Sequence, residues 1–187
     1  MRTSKTDTIF GAMLAALCLT SFAHPLSAQD RVAADNAPPP GCEVGRPQAL
    51  DRSPLRIVTE TGAHEFQVEN ARTGDQQRIG YMFRPEIPKD EGMLFAYGDP
   101  QKLAMWMRNT YASLDILFIQ RGGRIANIAA DAIPCSLDAI VSRGRVVAVL
   151  ELAAGEAVRR GIRPGDIVYH EALGNWAAPT AEHDDTQ

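Results

Sequence analysis

The stretch SLDILFIQRGGRIANIAAD, residues 113–131, decides the fold of this chain. Two apolar runs, residues 114–119 and 125–130, are joined by a short segment that contains Gly122 and Gly123. Glycine readily adopts the left-handed backbone conformations that tight turns require, and both runs have the length of a strand. The pattern therefore predicts a β-hairpin, and it is the clearest hairpin signal in the sequence.

Two further elements are predicted on the N-terminal side of this hairpin. Residues 55–60 and 64–71 alternate or carry β-branched side chains on either side of a Thr-Gly turn, which predicts a second hairpin. Thr73 is followed three residues later by a glutamine. This capping-box pattern predicts a short helix that ends near Gly80.

The remaining elements are short as well. Residues 92–100, 102–108 and 145–153 predict strands. Residues 155–161 predict about two helical turns, and residues 162–170 predict a turn that leads into a last strand. Seven or eight short strands at regular spacing, with one or two short helices, favour a compact, mainly β single domain of sandwich or barrel type over a βαβ fold.

The first 28 residues have the order of a secretory signal peptide. Two basic residues precede the uncharged run at 9–23, and small residues follow it, which predicts cleavage after Ala23 or Ala28. The uncharged run of about 15 residues is shorter than the roughly 20 needed to cross a bilayer. We therefore expect Gram-negative-type export, a periplasmic or secreted protein, and no membrane span after cleavage.

The flanks of the predicted domain lack an apolar period. Residues 29–54 are rich in proline and glycine and are predicted to be a disordered tether. Residues 177–187 are predicted to be a disordered tail. One β domain, residues 55–176, lies between them, without an internal repeat.

Cleavage would leave two cysteines, Cys42 and Cys135. An exported chain enters an oxidising compartment, so a disulfide between them is expected to staple the tether to a loop of the domain. Two free thiols are the alternative, since sequence does not give their separation. There is no CxxC motif to support a thioredoxin-like role.

Sequence motifs of several function classes are absent. The chain has no GxSxG, HExxH, P-loop or Rossmann motif, and no histidine of the mature chain has a histidine or cysteine nearby at metal-ligand spacing. The sequence therefore predicts no metal and no cofactor, and it assigns no catalytic residue. The formal net charge of −4 argues against a nucleic-acid partner.

A group of polar residues lies among apolar strands and forms the candidate site. Asp115 and Glu151 interrupt runs that should be core, and a buried carboxylate must be paired or hydrogen-bonded. Either of two arginines could supply the charge, and a tryptophan could offer a stacking surface. The candidate ligand-binding residues are Arg84, Trp106, Arg108, Asn109, Thr110, Asp115 and Glu151.

Four blocks taken together resemble a known family. They are GYMFRP, GMLFAYGDP, MWMRNTYASLDILFIQRGGRI and VLELAAGEAVRRGIRPGD, in order and with matching spacing. They resemble domain-of-unknown-function family 192 over residues 55–170. Tyr81 and Arg108 replace the leucine and lysine usual in the family, and Ala112–Ser113 stands where an Ile-Pro pair is often found. The resemblance implies an exported, compact, mainly β domain of sandwich type, and it implies no activity.

Three hypotheses about function follow from these residues. The first is a non-enzymatic exported binding module for a small molecule, an envelope polymer or a protein partner. The second is a periplasmic hydrolase with Asp115 and Glu151 as acid and base, which requires both carboxyls in one pocket about 5–10 Å apart. The third is a structural or interaction protein without a ligand, in which Asp115 pairs with an arginine. The sequence leaves the partner and the oligomeric state unassigned.

Overall fold

The computed structural model describes residues 38–176. The predicted signal peptide, residues 29–37 of the predicted tether and the predicted tail at 177–187 lie outside the described residues. Within the described range, no helix combines the length and the apolar character that a membrane crossing requires.

Short strands dominate the described chain, and the mainly β fold predicted from the sequence is confirmed. The elements are β1 Arg52–Thr59, β2 Gly62–Ala71, α1 Gly74–Ile79, β3 Glu91–Gln101, β4 Ala104–Met105, β5 Leu114–Ile119, β6 Ile125–Ala132, β7 Ile140–Val141, β8 Val146–Ala153, α2 Glu156–Arg159, β9 Ile167–Tyr169 and a 3-10 turn at Glu171–Leu173.

Seven of these strands form one curled sheet, a half-barrel, in the order β6-β5-β8-β3-β2-β1-β9. The neighbouring strands are antiparallel except for β2 and β3, which run parallel. The connection from β2 to β3 passes through α1, because parallel neighbours cannot be joined by a tight hairpin. The two remaining strands, β4 and β7, pair with each other as a small second sheet.

Both faces of the curled sheet carry an apolar cluster. Successive residues of a strand point to opposite faces, so Leu117 and Phe118 of β5 belong to different clusters. We call the two sides the Leu117 face and the Phe118 face. All six residues of β5 are buried, which explains why its sequence is apolar at every position except Asp115 instead of alternating.

Elements encoded by local signals lie where the sequence predicts them. The two predicted hairpins are β1–β2 and β5–β6. The capping box at α1 is present in both directions, with the Thr73 side chain accepting from the Gln76 backbone N–H. The Gln76 side chain accepts from the Thr73 backbone N–H at 3.0 Å, and Gly80 ends the helix with a positive φ of 50°. Helix α2 is shorter than the predicted two turns.

The strand predicted at residues 102–108 is wrong for most of its length. Only Ala104–Met105 pairs, with β7, and the chain then turns through Asn109, whose φ is 54°. Asparagine tolerates this left-handed conformation, and the turn is closed by a hydrogen bond from the Thr110 N–H to the Met107 carbonyl at 3.0 Å. The alternating residues therefore form a short edge strand followed by a turn, not one long strand.

The N-terminal boundary of the domain differs from the predicted one. Strand β1 begins at Arg52, inside the predicted tether, because residues 52–54 continue its register with β2. The segment before it lacks regular secondary structure but is bound to the domain. The Gln48 side chain donates to the carbonyls of Gln76 and Gly80, and a disulfide joins Cys42 to Cys135 with the two Cα atoms 5.2 Å apart.

Candidate functional site

A cleft of about 330 Å³ opens on the Phe118 face of the sheet. Helix α1 and the segment after it form one wall, and β3 and β4 contribute most of the rest. Glu151 of β8 also lines the cleft, because the sheet register places its side chain on the Phe118 face. The side chains that matter for its chemistry are Tyr81, Phe95, Tyr97, Met105, Trp106 and Glu151. We call it the Glu151 cleft.

Glu151 is the buried acidic group of this cleft. It pairs in register with Met93 of β3 and Ile116 of β5, so its side chain shares their Phe118 face. It is 4% exposed, and no cation or hydrogen-bond donor among the described residues contacts its carboxyl group. Burial alone raises the pKa of the Glu151 carboxyl to about 8, so it holds a proton at neutral pH.

Two tyrosines stand beside this carboxyl. Burial first, and then the negative charge of Glu151, raises the pKa of Tyr97 to about 12. The same two causes, in the same order, raise the pKa of Tyr81. The Tyr97 hydroxyl has only the Met105 sulfur near it, at 4.0 Å, and the Tyr81 hydroxyl has no hydrogen-bond partner within residues 38–176. Both phenol groups are therefore available to a ligand.

The strand periodicity of β3 explains how one of these tyrosines reaches the site. Met93, Phe95 and Tyr97 are two residues apart, so they share the Phe118 face with Glu151. The register of β3 with β8 shifts between Ala96 and Gln101, so Tyr97 lies at an irregular part of the strand beside the cleft. Sequence reasoning missed Tyr97, although its alternation with Phe95 was a usable signal.

Trp106 lies at the rim, directly after β4. Its side chain is 46% exposed, and the Arg108 guanidinium lies 5.9 Å from the ring centre. Arg108 is also half exposed and lies 3.8 Å from the Glu43 carboxylate. A shallower apolar depression of about 290 Å³ adjoins the cleft and shares Trp106 with it. The exposed indole therefore lies at the entrance of the cleft, where it can contact a ligand.

The structure brings only some of the predicted residues together. Trp106, Thr110 and Glu151 line the cleft, and the other predicted residues do not. The Asn109 side chain instead fixes the N-terminal segment, accepting from the Glu43 N–H at 2.9 Å and donating to its carboxylate at 3.1 Å. The predicted role of Asn109 as a ligand contact is not supported by this position, because its hydrogen bonds are already used.

Arg84 lies in a buried ion pair instead of in the cleft. Its two terminal nitrogens donate to the two carboxylate oxygens of Glu69 at 2.7 and 2.8 Å, and it also donates to the Gln48 carbonyl. Burial alone would raise the pKa of Glu69, but the hydrogen bonds and charge of Arg84 outweigh it and lower that pKa. Arg84 therefore joins the N-terminal segment to β2.

Asp115 is buried on the opposite side of the sheet from Glu151. Its carboxylate accepts from the Asp131 N–H at 3.1 Å and from the Ala157 N–H at 2.9 Å. The expected arginine partner is wrong, since backbone donors satisfy the charge. These bonds tie the end of β6 and the first turn of α2 to β5, which is a structural role.

The hydrolase hypothesis fails on this geometry. In the β5–β8 register Asp115 is opposite Leu152, and Glu151 is opposite Ile116, so the two carboxyls are offset by one residue. An offset of one residue sends two side chains to opposite faces of a sheet. They cannot share a pocket as acid and base.

A serine–histidine pair outside the cleft is structural. The His170 ring Nε2 lies 2.7 Å from the Ser53 hydroxyl oxygen, but Nδ1 accepts from the Ala172 N–H at 3.1 Å. A neutral ring that accepts at Nδ1 carries its proton on Nε2, so it donates to the serine and cannot act as its base. Burial lowers the pKa of His170, which favours this neutral form. Within residues 38–176, no group of three or more His, Cys, Asp or Glu side chains could hold a metal.

Comparisons with known proteins agree with this architecture. The family model DUF192, described as "Uncharacterized ACR", matches residues 56–170, and the chain belongs to this family. A crystal structure from Sinorhizobium meliloti, described as a putative transcription regulator, is 38% identical, with a TM-score of 0.65 over 68% of this chain and 99% of that chain. A protein of unknown function from Novosphingobium aromaticivorans is 39% identical, with a TM-score of 0.64 over 73% and 96%. The comparison with curated proteins gave no match.

Proposed function

We propose that this member of the DUF192 family is an exported, non-enzymatic binding module that holds a small molecule in the Glu151 cleft. The observation that carries the proposal is a buried carboxyl group that no described residue contacts by hydrogen bond or charge. The Glu151 oxygens are not among the fully buried polar atoms that lack a partner, so they reach the cleft, where a bound molecule can contact them. A ligand in the cleft would supply the missing partner.

The lining of the cleft supports a small molecule over a polymer or a protein. Binding sites for small molecules are concave and mostly apolar, with a few convergent polar groups. Here aromatic and methionine side chains line a cleft that also holds one carboxyl group, two phenol groups and the polar residues Gln77, Arg78 and Thr110. An envelope polymer or a protein partner would need a longer groove or a larger exposed surface.

Export is supported by the N-terminal segment of basic, apolar and small residues. The Cys42–Cys135 disulfide is in keeping with an oxidising compartment. The formal net charge of −4 supports a partner other than nucleic acid.

A thermal-shift screen of the purified protein tests the proposal. We expect a cleft ligand to raise the melting temperature by several degrees, since a ligand at 100 times its Kd stabilises by about 2.7 kcal/mol. The same compound should raise the melting temperature of the Trp106→Ala variant much less than that of the wild type. Val158→Ala is the matched control, because Val158 is an exposed apolar residue on α2 that does not line the cleft.

Two results would contradict the proposal. One is a screen of amines, sugars, organic acids and short peptides in which no compound shifts the melting temperature. The other is a compound that stabilises Trp106→Ala as much as the wild type, since that compound would bind elsewhere.

A further inference from the structure

The charges around the Glu151 cleft are unbalanced. Glu151 is the only acidic residue among the described residues that line it, and Arg78 of α1 is the only basic one. Arg78 is exposed at the rim, where it lies 3.3 Å from Asp75. Tyr97 of β3 and Tyr81 are the other titratable groups that face the carboxyl, and both are neutral phenols.

The nearby arginines do not correct this imbalance. Arg84 lies over the Tyr81 ring at 5.0 Å, but both of its terminal nitrogens are bound to Glu69. Arg108 lies over the Trp106 ring, and its partner is Glu43. Arg78, Arg84 and Arg108 therefore each have a carboxylate partner, and Glu151 has no cation. The neighbouring strands add only Met93 and Ile116 beside it.

The walls suit a positive charge as well. Tyr81, Phe95, Tyr97 and Trp106 line the cleft together with Glu151, and arginines already lie over the Tyr81 and Trp106 rings. The face of an aromatic ring attracts a cation, and quaternary ammonium ligands are recognised by such rings. An anion would find no buried basic group in this lining to pair with, because Arg78 is exposed and lies beside Asp75.

We infer that the ligand of the Glu151 cleft is a small organic cation, whose ammonium group lies among the aromatic rings and pairs with the Glu151 carboxylate. This inference rests on the proposed function and specifies its ligand class. Binding converts the protonated carboxyl to the carboxylate, so one proton leaves the protein for each cation bound below the pKa of Glu151. Affinity should therefore rise up to about tenfold per pH unit as the pH approaches about 8.

Isothermal titration calorimetry with a matched pair of probes tests this inference. Choline carries a quaternary ammonium group, and 3,3-dimethylbutan-1-ol has the same shape without the charge. We expect choline to bind at least tenfold more tightly than the alcohol at pH 8, and more weakly at pH 6. Titrations in buffers with different ionisation enthalpies should show close to one proton released at pH 6 and few at pH 9.

Variants distinguish pairing with Glu151 from nonspecific attraction. Glu151→Gln keeps the size of the side chain but cannot ionise, so it should lose the pH dependence and at least tenfold in choline affinity. Glu86→Gln makes the same chemical change at an exposed glutamate and should bind as the wild type does. Circular dichroism verifies that both variants fold, and Tyr97→Phe gives a second, milder variant of the site that should bind more weakly.

The outcomes separate this inference from the proposed function. Equal affinity for choline and its neutral isostere, without pH dependence, would overturn the cation while leaving a small-molecule site in place. Absence of binding by choline, tetramethylammonium and ethanolamine at millimolar concentration would also overturn it. The proposed function would then fail only if the wider screen also gave no ligand that depends on Trp106.

Discussion

Asp115 and Glu151 are buried carboxyls on adjacent strands, but one has hydrogen-bond donors and the other has none among the described residues. Asp115 faces the Leu117 side, where two backbone N–H groups donate to it. Glu151 faces the Phe118 side, where burial alone raises its pKa to about 8 and no described residue pairs with it. The difference teaches that burial alone does not assign a role. A satisfied carboxylate holds the fold together, and an unsatisfied one beside a cleft is available for binding.

The largest expected effect comes from Asp115. Asp115→Ala leaves the buried Ala157 N–H and the partly buried Asp131 N–H without an acceptor, and it opens a small cavity, with a buried donor costing about 1–3 kcal/mol. We expect the free energy of unfolding to fall by about 5 kcal/mol, measured by urea denaturation at pH 7. Asp99→Ala, at an exposed aspartate, is the control and should change it by less than about 0.5 kcal/mol. A loss below about 1 kcal/mol for Asp115→Ala would mean that the two hydrogen bonds do not hold the fold.

Glu151 should have a smaller effect of a different kind. Its pKa is raised in the folded protein, so the folded state holds a proton that the unfolded state releases, and stability falls as pH rises from about 4.5 to about 8. Relative to pH 4, this lowers the stability of the wild type by about 3 kcal/mol at pH 7, at 1.36 kcal/mol per pKa unit. Glu151→Gln should lack that decrease, as denaturation curves at several pH values would show.

The control for this measurement is Glu86→Gln, which should keep the pH dependence of the wild type. If Glu151→Gln and the wild type change in parallel between pH 4 and pH 9, the Glu151 carboxyl has an ordinary partner. The contrast with Asp115 would then be lost.

His170 gives the smallest effect and has the opposite sign. Its pKa is lowered by burial, so the stability that it contributes is present above about pH 6.5 and is lost as pH falls towards the folded-state pKa. Protonation of Nδ1 removes the hydrogen bond from the Ala172 N–H, which is worth about 1 kcal/mol. His170→Asn keeps an acceptor for that N–H without a titrating ring, so its denaturation curves should lack this acid-side loss.

Glu86→Gln, at an exposed glutamate, serves as the control and should leave the acid-side loss unchanged. Together with Glu151, this result would sharpen the comparison: one buried group weakens the fold at alkaline pH and the other at acid pH. An acid-side loss that persists in His170→Asn would assign it to another group.

Local patterns in the sequence predicted much of the fold correctly. The Gly122–Gly123 turn and the two apolar runs around it define the β5–β6 hairpin, because turn conformation and strand pairing between close neighbours are short-range effects. Thr73 and Gln76 define the start of α1 for the same reason. The run at residues 102–108 was mispredicted because alternation also occurs along an edge that ends in a turn.

The candidate site was predicted only in part. Trp106, Thr110 and Glu151 line the cleft. Arg84 and Asp115 instead have hydrogen-bond partners that no local sequence pattern predicts. Glu69 is fifteen residues from Arg84, and Ala157 is 42 residues from Asp115. Such pairings arise from the folded arrangement of the chain, and single-sequence periodicity contains no information about them.

The sequence by itself determined the family, the mainly β architecture and the presence of two carboxylates in core strands. Those properties follow from residue type, spacing and turn chemistry within short segments. Only the tertiary structure decided which carboxylate is satisfied, because the register of β5 against β8 sends Asp115 and Glu151 to opposite faces. A shift of that register by one residue would place both carboxyls on the same face, and nothing within either strand alone fixes it.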